Sequence, residues 1–532
     1  METVSQPRKS FFARSSAAAV AAGILLSRLL GLVRESVFAY FFGNSDVADA
    51  LRAALRIPNL LQNLFGEGVL SASFIPVYAR LRAKEEHEDA SQLAEAVFAV
   101  LCLAVSVFTL VGILATPLLI HLIAPGFHGA KREFTIQLVR IVFPGAALLV
   151  LSAWCLGILN SHRKFFLSYV APVVWNLTMI AAYFWRGSRV PQARLAIIIA
   201  IASVIGSLGT FLVQLPAVLG FLRPLKLHFK LAGSHLHSVI KNFFPVFISR
   251  GVVQISAYVD FMLASYLSTG AVSALSYAQT INSLPVSLFG MAISAAELPA
   301  MSSILGTHDE IAAVLRQRLA AGLQNIAYFV IPSAVGFVIL GDVIVSTIYR
   351  SGHFTAADVT YVWSVLAGSG VGLLASTSGR LYSSAFYSMH DTRTPLRFAI
   401  LRVALTIALG YFCALHLPRR LHIDQHWGVA GLTLSAGVAG WIEFSLLRHA
   451  LHARIGVVPS SAKRTVLLWA TAIFAAAIAF GAKHIIPLHR PRLLGPCVLI
   501  IFAAAYFLAS TLLHISAPGG IGKLQRRFRK SA

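Results

Sequence analysis

The chain has 532 residues, of which 57% are hydrophobic and only 12% are charged, and its mean hydropathy is +0.76. Soluble domains are about half apolar and about a quarter charged, so this composition excludes a soluble enzyme and a soluble nucleic-acid module and indicates an integral membrane protein. The formal net charge of +24 does not predict a nucleic-acid partner, because the basic residues concentrate in alternate joints between apolar runs.

Apolar runs of about 20 residues recur along the whole chain, and each is long enough as a helix to cross a bilayer. About fourteen such runs centre near residues 30, 70, 105, 147, 178, 207, 255, 288, 330, 372, 405, 438, 473 and 503. The predicted fold class is therefore an all-α polytopic membrane protein.

The basic residues predict the orientation of these helices. Alternate joints carry most of the arginine and lysine, and a basic tail, "KLQRRFRK", ends the chain. Positive joints stay in the cytoplasm, so both termini are predicted to be cytoplasmic. The first apolar run lacks a small-residue cleavage site, and we expect it to be retained. The tail suits contact with anionic membrane lipids or a topology anchor.

The first apolar run, "SRLLGLVRESVFAYFFG" at 27 to 43, carries Arg28, Arg34 and Glu35 in its middle. An ionisable group at the bilayer centre costs on the order of 3 kcal/mol or more unless it faces protein or water. These three residues are therefore candidates for a binding cavity, with Glu35 or Asp49 as partners of the arginines.

The second helix carries a polar stripe. Its members are spaced by three or four residues and share one helical face: Asp49, Arg52, Arg56, Asn59, Asn63 and Glu67. Pro58 within the stripe, and Gly66 and Gly68 around Glu67, predict a kinked or locally unwound helix. Arginine grips phosphate or carboxylate, so the stripe predicts an anionic substrate. Structural ion pairs or groups that snorkel to the interface are the alternative, most of all for Asp49 and Arg52.

An internal repeat relates two distant parts of the chain. The stretch "LFGEGVLSASFIPVYARL" at 64 to 81 resembles "LFGMAISAAELPAMSSIL" at 288 to 305, and one offset of about 224 residues also aligns the preceding segments. Repeated halves are typical of transporters, although small and apolar residues recur in every membrane helix. The repeat predicts a six-helix N-terminal lobe at 1–225, a six-helix C-terminal lobe at 226–455, and two further helices with the basic tail at 456–532. The two lobes are expected to be related by a pseudo-two-fold axis.

The second half has milder polar residues at the corresponding positions. They continue a helical stripe without charge: Ser273, Ser276, Gln279, Thr280, Ser283 and Ser287. Arg250 and Arg380 lie in other apolar runs of this half and are candidates for its positive charge. Glu297 is a further charged residue in such a run, and Asp260 is equally suited to an interface.

Motifs for covalent chemistry are missing from the sequence, which contains no Walker loop, nucleophile elbow or HExxH. "GSGVG" at 368 to 372 lacks a preceding strand and predicts close helix packing instead. The four cysteines are far apart and predict neither disulfides nor a metal site. We therefore expect a transporter without enzymatic activity or cofactor, driven by the membrane potential or by an ion gradient.

Six stretches along nearly the whole chain form a specific set: the first run already quoted, "DALRAALRIPNLLQNLFGEGVLSASFIPVY", "IAPGF", "GILNSHRKFFLSYVAPVVWN", "RSGHFTAAD" and "AFYSMHDTRTP". Together they resemble the MurJ/MviN family of bacterial lipid II flippases, in the multidrug/oligosaccharidyl-lipid/polysaccharide exporter superfamily. The resemblance implies two six-helix lobes with two added C-terminal helices in the inner membrane. It also implies transfer of undecaprenyl-pyrophosphate-linked peptidoglycan precursor to the periplasmic leaflet by alternating access.

The resemblance also assigns roles to residues. It implies that Arg28 and Arg34 match cavity arginines that engage the pyrophosphate, that Asp49 and Glu67 match cavity acids, and that Arg380 falls where a basic residue is usual. As a hypothesis, Arg28, Arg34 and Arg56 hold the diphosphate, and Glu67 and Asp49 set the electrostatics and gating of the cavity. The lipid-linked saccharide and membrane lipids are the expected partners, with cell-wall synthesis proteins as a further candidate and no nucleic acid.

Two positions depart from the family pattern. Gln62 and Asn63 stand where many members have arginine, and Gln279 and Thr280 stand where members have an Asp-Arg pair. Loss of a cavity arginine removes a contact typically worth about 1.5 to 3 kcal/mol. Arg250 or Arg56 is expected to compensate, or else the substrate or activity differs. The alternatives are an exporter of another lipid-linked saccharide or of an organic cation, and a non-transporting member that regulates envelope assembly.

Overall fold

A computed structural model of the protein describes residues 11–65, 70, 73–162, 164–222, 236–237, 239–241, 243, 258–304, 307–459, 461–487, 490–515 and 517. In this part of the chain, all regular secondary structure is helical. The all-α class predicted from the apolar runs is thereby confirmed. The chain divides into two compact units, Met1–Met262 (unit 1) and Leu263–Ala532 (unit 2).

The described residues of unit 1 include eight helices and a further helical segment at residues 258–262. The eight are α1 Phe11–Phe42, α2 Asp46–Phe65, α3 Ile75–Ala83, α4 His87–Leu114, α5 Thr116–Ile123, α6 Gly129–Ser161, α7 Phe165–Arg186 and α8 Gln192–Leu219.

The described residues of unit 2 include ten α-helices: α9 Ala271–Pro285, α10 Ala292–Ser302, α11 His308–Ile339, α12 Gly341–Tyr349, α13 Ala356–Ser388, α14 Arg393–Tyr411, α15 Leu417–Arg420, α16 Gly428–Ile455, α17 Ala462–Ile485 and α18 Pro491–Leu512. Two π-helical segments, Val286–Met291 and Phe412–His416, and a 3₁₀ turn at Gln425–Trp427 interrupt the regular helices. The first π segment follows Pro285 and contains the Leu-Phe-Gly of the second repeat copy.

Eleven helices among the described residues are long and apolar enough to cross a membrane. Each contains one of the centres predicted from the sequence, from residue 105 to residue 503. α1 spans the predicted centre near 30, whereas the centre near 255 lies outside the described residues. The polytopic character is confirmed, and the total of about fourteen stays a prediction.

Unit 1 is held together by α6, which packs against α2 and α8, while α1 packs on α7. A core of large apolar side chains fills the space between α3, α4 and α6, with Phe74 and Trp154 inaccessible to solvent. The Trp154 indole N–H donates to the carbonyl of Ala94 at 3.2 Å. Burial of such aromatic side chains stabilises helix contacts that carry few polar groups.

Unit 2 is built around α13, which packs against α11 and α16, and the last two helices attach to α11 and α12. A side-chain carbon on Gly372 of α13 would lie 2.4 Å from the Cα of Gly437 on α16. The two backbones touch there, so only glycine fits. The close helix packing predicted for "GSGVG" is confirmed.

Candidate functional site

The charged part of the first two helices lies beside the turn that joins them. α1 ends at Phe42, and Gly43 takes φ +56°, a left-handed conformation that glycine adopts without cost. The hydroxyl oxygen of Ser45 then accepts the backbone N–H of Ala48 at 3.2 Å and caps α2. Because the turn is short, the last turns of α1 lie close to the first turns of α2.

Glu35 is the centre of an ion-pair cluster at this turn. Glu35 is 4% exposed. One of its carboxylate oxygens lies 2.5 Å from a guanidinium nitrogen of Arg34, and the other lies 2.5 Å from a guanidinium nitrogen of Arg52. Of the two partners expected for Arg34, Glu35 and Asp49, the structure pairs it with Glu35. We call Arg34, Glu35 and Arg52 the unit 1 cluster.

Aromatic rings from two helices cover the arginines of the unit 1 cluster. The Arg52 guanidinium carbon lies 3.9 Å from the centroid of the Phe38 ring, and that of Arg34 lies 4.6 Å from the ring of Trp175 on α7. A cation over an aromatic face gains about 0.5 to 2 kcal/mol, more when water is excluded. The rings therefore hold both guanidinium planes in place beside Glu35.

The unit 1 cluster keeps one net positive charge, since two guanidinium groups share one carboxylate. An anion with several oxygens, such as a phosphate or a diphosphate, suits the net positive charge of this cluster. The arrangement suits reversible anion binding in a segment with little access to water.

Asp49, the first member of the predicted stripe, is 1% exposed and forms an ion pair with a lysine of α6. Its carboxylate lies 2.8 Å from the ammonium of Lys131 near the start of α6, which also lies 2.8 Å from Asp46. The Lys131 ammonium lies 4.4 Å from the ring of Phe127 as well. This group connects the start of α2 to α6.

Arg56 is placed between two aromatic rings. Its guanidinium carbon lies 4.9 Å from the Tyr258 ring centroid and 4.8 Å from that of Phe261. The Tyr258 hydroxyl also donates to the Arg56 carbonyl oxygen at 3.0 Å. The segment that follows residue 257 therefore contacts α2 at Arg56.

The other residues predicted for the site are distributed as follows. Arg28 on α1 and Asn59 on α2 are exposed. Asn63 lies in α2, but its side chain is outside what the structure describes, and Glu67 and Arg250 lie outside the described residues altogether. Their assignment to the site stays a prediction.

The neutral stripe of unit 2 lies on α9 and the first π segment. Its hydroxyls donate to carbonyls of their own helix: Ser276 to Val272, Thr280 to Ser276, Ser283 to Thr280 and Ser287 to Ser283, at 2.6 to 3.0 Å. Gln279 and Thr280 are half-buried. Internally satisfied hydroxyls lower the cost of polar residues at membrane depth but provide no charge for a ligand.

Charge in unit 2 is found on other helices. Arg402 of α14 lies 3.2 Å from Glu443 of α16, and exposed Arg380 of α13 lies within electrostatic range of both. We call Arg380, Arg402 and Glu443 the unit 2 cluster. Arg402 and Glu443 were missed from the sequence, although each is a charged residue inside an apolar run, the same signal that selected Arg380.

Two loops that follow α6 and α13 contain polar groups outside the membrane-spanning helices. Burial, with Arg82 and His87 nearby, lowers the pKa of His162 to about 4, and its Nε2 lies 3.0 Å from the Tyr78 hydroxyl. Hydrogen bonds from Thr394, together with Arg454, lower the pKa of Asp391 to about 2.

Metal ligation has no candidate in the described part of the chain, where no three His, Cys, Asp or Glu residues come together in a group that could hold an ion. The described charges are instead arranged as arginine and carboxylate clusters. These suit an anionic ligand that binds through its oxygens.

Comparison with known protein families gives a match over most of the chain. The family model described as "Lipid II flippase MurJ" matches residues 38–491. The lipid II flippase MurJ of Burkholderia cenocepacia is 31% identical over 508 residues, which cover 91% of this chain and 94% of that relative. The probable lipid II flippase MurJ of Rhizobium tropici is 30% identical, with 96% of each chain covered.

Solved structures share the fold. A lipid II flippase MurJ in an inward closed conformation superposes with a TM-score of 0.76 at 23% identity, covering 93% of this chain and 98% of that one. An inward-facing multidrug transporter of the MATE family, in the MOP superfamily, superposes with a TM-score of 0.64 at 16% identity, covering 82% of this chain and 98% of that one.

Proposed function

Because this chain belongs to the MurJ family of lipid II flippases, we propose that it translocates lipid II, the undecaprenyl-pyrophosphate-linked peptidoglycan precursor, to the periplasmic leaflet of the inner membrane. It is a multi-pass membrane protein. Its substrate is an amphiphile with a diphosphate between a lipid tail and a saccharide. The protein therefore has to carry that diphosphate through a region of low dielectric constant.

The observation that carries this proposal is the unit 1 cluster. Arg34 and Arg52 hold one net positive charge beside a 4% exposed glutamate, and a buried charge without a use is costly. In the absence of substrate, Glu35 keeps both guanidinium groups together. When a diphosphate enters, its oxygens compete with Glu35 for the same donors, and the arginines exchange one anion for another without becoming unpaired.

The proposal extends to the remaining parts of the mechanism. Both termini lie in the cytoplasm, in keeping with the basic joints and tail. The chain works by alternating access of the lobes at 1–225 and 226–455, with residues 456–532 as an addition. No cofactor takes part, and the membrane potential or an ion gradient drives transport. Release of the diphosphate is favoured when Glu35 again forms ion pairs with both arginines.

Complementation tests the proposal. A bacterial host is depleted of its essential lipid II flippase and expresses this chain, or its Arg34→Ala or Arg28→Ala variant. Arg189→Ala, which changes an exposed arginine in the loop before α8, is the matched control. We expect rescue by the parent chain and the control, and no rescue by Arg34→Ala, which changes the unit 1 cluster, or by Arg28→Ala at equal membrane levels. Normal growth with both Arg34→Ala and Arg28→Ala would refute the assigned site.

A second candidate, export of another lipid-linked saccharide, is favoured by one observation. Gln279 and Thr280 leave α9 without charge where many family members have an Asp-Arg pair, and the Thr280 hydroxyl is engaged by the carbonyl of Ser276. Failure of the parent chain to rescue despite good membrane expression, while a host-family flippase rescues in parallel, would favour this candidate.

A further inference from the structure

The unit 2 cluster is placed differently from a structural ion pair. Arg402 comes from α14 and Glu443 from α16, with their closest atoms 3.2 Å apart, longer than the 2.7 to 2.9 Å of a strong charge-assisted hydrogen bond. The Arg402 side chain is 39% exposed and that of Glu443 is 13% exposed. A single Arg402 nitrogen donates to this carboxylate, so most of its N–H groups point elsewhere.

Arg380 adds a second guanidinium to the same place. It is exposed on α13, which packs against α16, the helix of Glu443, and its charge interacts with those of Arg402 and Glu443. Tyr387, two helical turns further along the same face of α13, also lies within range of Glu443. The three charged groups therefore sum to one positive charge, with a phenol beside them.

The depth of the cluster follows from the helix ends. At a rise of about 1.5 Å per residue, Arg380 lies about 12 Å from the end of α13 at Ser388, and Arg402 about 14 Å from the start of α14 at Arg393. In the proposed orientation both ends are cytoplasmic. In that orientation, Arg380 lies in the cytoplasmic half of α13, and Arg402 lies in the cytoplasmic half of the span Arg393–Arg420.

On these grounds we propose that Arg380 and Arg402, held around Glu443, form a second binding site, for the phosphate group of a membrane lipid, on the cytoplasmic half of unit 2. The inference rests on the proposed function, because it makes this site the place where a lipid-linked diphosphate is first held. Glu443 is a positioning residue that keeps the two arginines together and competes with the incoming phosphate. A phospholipid headgroup has the same chemistry and is the other source of the ligand.

Binding to the purified full-length protein tests the site. The probes are undecaprenyl diphosphate and, separately, phosphatidylglycerol, each titrated into protein in detergent micelles. The variants are Arg402→Gln, Arg380→Gln and Glu443→Gln, with Arg397→Gln as the matched control because Arg397 is an exposed arginine on another face of α14. Size-exclusion profiles and thermal unfolding midpoints establish that each variant is folded.

We expect Arg402→Gln and Arg380→Gln each to weaken binding of undecaprenyl diphosphate by about tenfold or more, as for loss of one charge-assisted hydrogen bond. Glu443→Gln is expected to tighten it several-fold, since a competing carboxylate is removed, and Arg397→Gln to change it less than about twofold. A merely structural ion pair would instead give a Glu443→Gln variant with lower thermal stability and unchanged or weaker binding, which would overturn the proposal.

The two probes also distinguish a lipid-linked diphosphate from a phospholipid as the ligand, and they test the second site separately from the proposed function. If only phosphatidylglycerol binding depends on Arg402 and Arg380, the site is supported as a phospholipid site. If Arg34→Ala weakens undecaprenyl diphosphate binding while Arg402→Gln and Arg380→Gln do not affect either probe, the second site is refuted and the proposed function stands. If the parent chain binds neither probe, the second site is refuted, and complementation alone decides the proposed function.

Discussion

The two units each contain a cluster of two arginines and one glutamate, but the two clusters differ in exposure and in contact distance. Each surrounds one glutamate with two arginines inside apolar helices, yet the Glu35 side chain is 6% exposed with both contacts at 2.5 Å, whereas that of Glu443 is 13% exposed with a contact at 3.2 Å. Aromatic rings cover the unit 1 arginines at 3.9 and 4.6 Å. In unit 1, the aromatic cover therefore accompanies shorter ion-pair contacts and a less exposed glutamate than in unit 2.

Removing the central carboxylate is expected to give the largest difference in stability between the two clusters. Glu35→Gln removes the buried carboxylate that both Arg34 and Arg52 contact, and we expect a loss of about 3 to 5 kcal/mol in the free energy of unfolding. Glu443→Gln, beside a 39% exposed arginine, is expected to cost about 1 kcal/mol or less. Unfolding of both purified variants in detergent measures the two values.

The control for this pair is Glu133→Gln, which changes an exposed glutamate on α6 and is expected to leave the free energy of unfolding within about 0.5 kcal/mol of the parent. Equal losses for Glu35→Gln and Glu443→Gln would mean that both clusters are equally closed, contrary to their exposures.

The aromatic contribution to unit 1 can be measured at Arg56. Tyr258→Leu removes one of the two rings beside the guanidinium and the 3.0 Å hydrogen bond to the Arg56 carbonyl, and we expect it to lower the free energy of unfolding by about 1 to 3 kcal/mol. Tyr258→Phe keeps the ring and isolates the hydroxyl, at about 1 kcal/mol. A Phe variant as unstable as the Leu variant would show that the ring contributes nothing.

The two units are also expected to differ in how their stability depends on pH, because a titratable residue lies in the loop after α6 and another in the loop after α13. His162 has a folded-state pKa of about 4 against an ordinary value of about 6.5, so the unfolded chain binds its proton first as pH falls. The stability from neutral His162 is fully present above about pH 6.5 and is lost as pH falls toward about 4. The thermal midpoint of the parent should therefore fall from pH 7 to pH 5 more than that of His162→Phe. Parallel curves for the two proteins would contradict this.

Asp391 in unit 2 should titrate in a lower and separate window. Its folded-state pKa is about 2 against an ordinary value of about 3.9. Its stabilising effect is thus constant above about pH 5 and is lost as pH falls toward 2. The midpoint difference between the parent and Asp391→Asn should stay constant from pH 7 to pH 5 and shrink below about pH 4. A difference that already shrinks between pH 7 and pH 5 would argue against the hydrogen bonds from Thr394 and the ion pair with Arg454.

Much of the fold could be predicted because a membrane helix is specified by a local run of apolar residues. The eleven described spans each contain a predicted centre, since about 20 consecutive apolar residues have almost no other stable structure in a bilayer. The close approach at Gly372 was likewise visible in a run of small residues. The charged residues of α1 and α2 were visible for a related reason, because a charge is conspicuous where lipid would surround it.

The partners of those charges were beyond local sequence. Helical spacing placed Asp49 and Arg52 on one face, but the structure gives Asp49 to Lys131 on α6 and Arg52 to Glu35 on α1. The rings beside Arg34 and Arg56 and the pairing of Arg402 with Glu443 were missed for the same reason.

By itself, then, the sequence determined which segments are helices in a membrane, which of their positions carry charge, and the family to which the chain belongs. Only the tertiary structure decided which charges neutralise each other, and hence that unit 1 holds a closed cluster and unit 2 an open one. The physical reason is that helix formation depends on neighbours along the chain and on the solvent. Ion pairs depend instead on which helices pack together, and residues far apart in the chain meet only when the helices have packed.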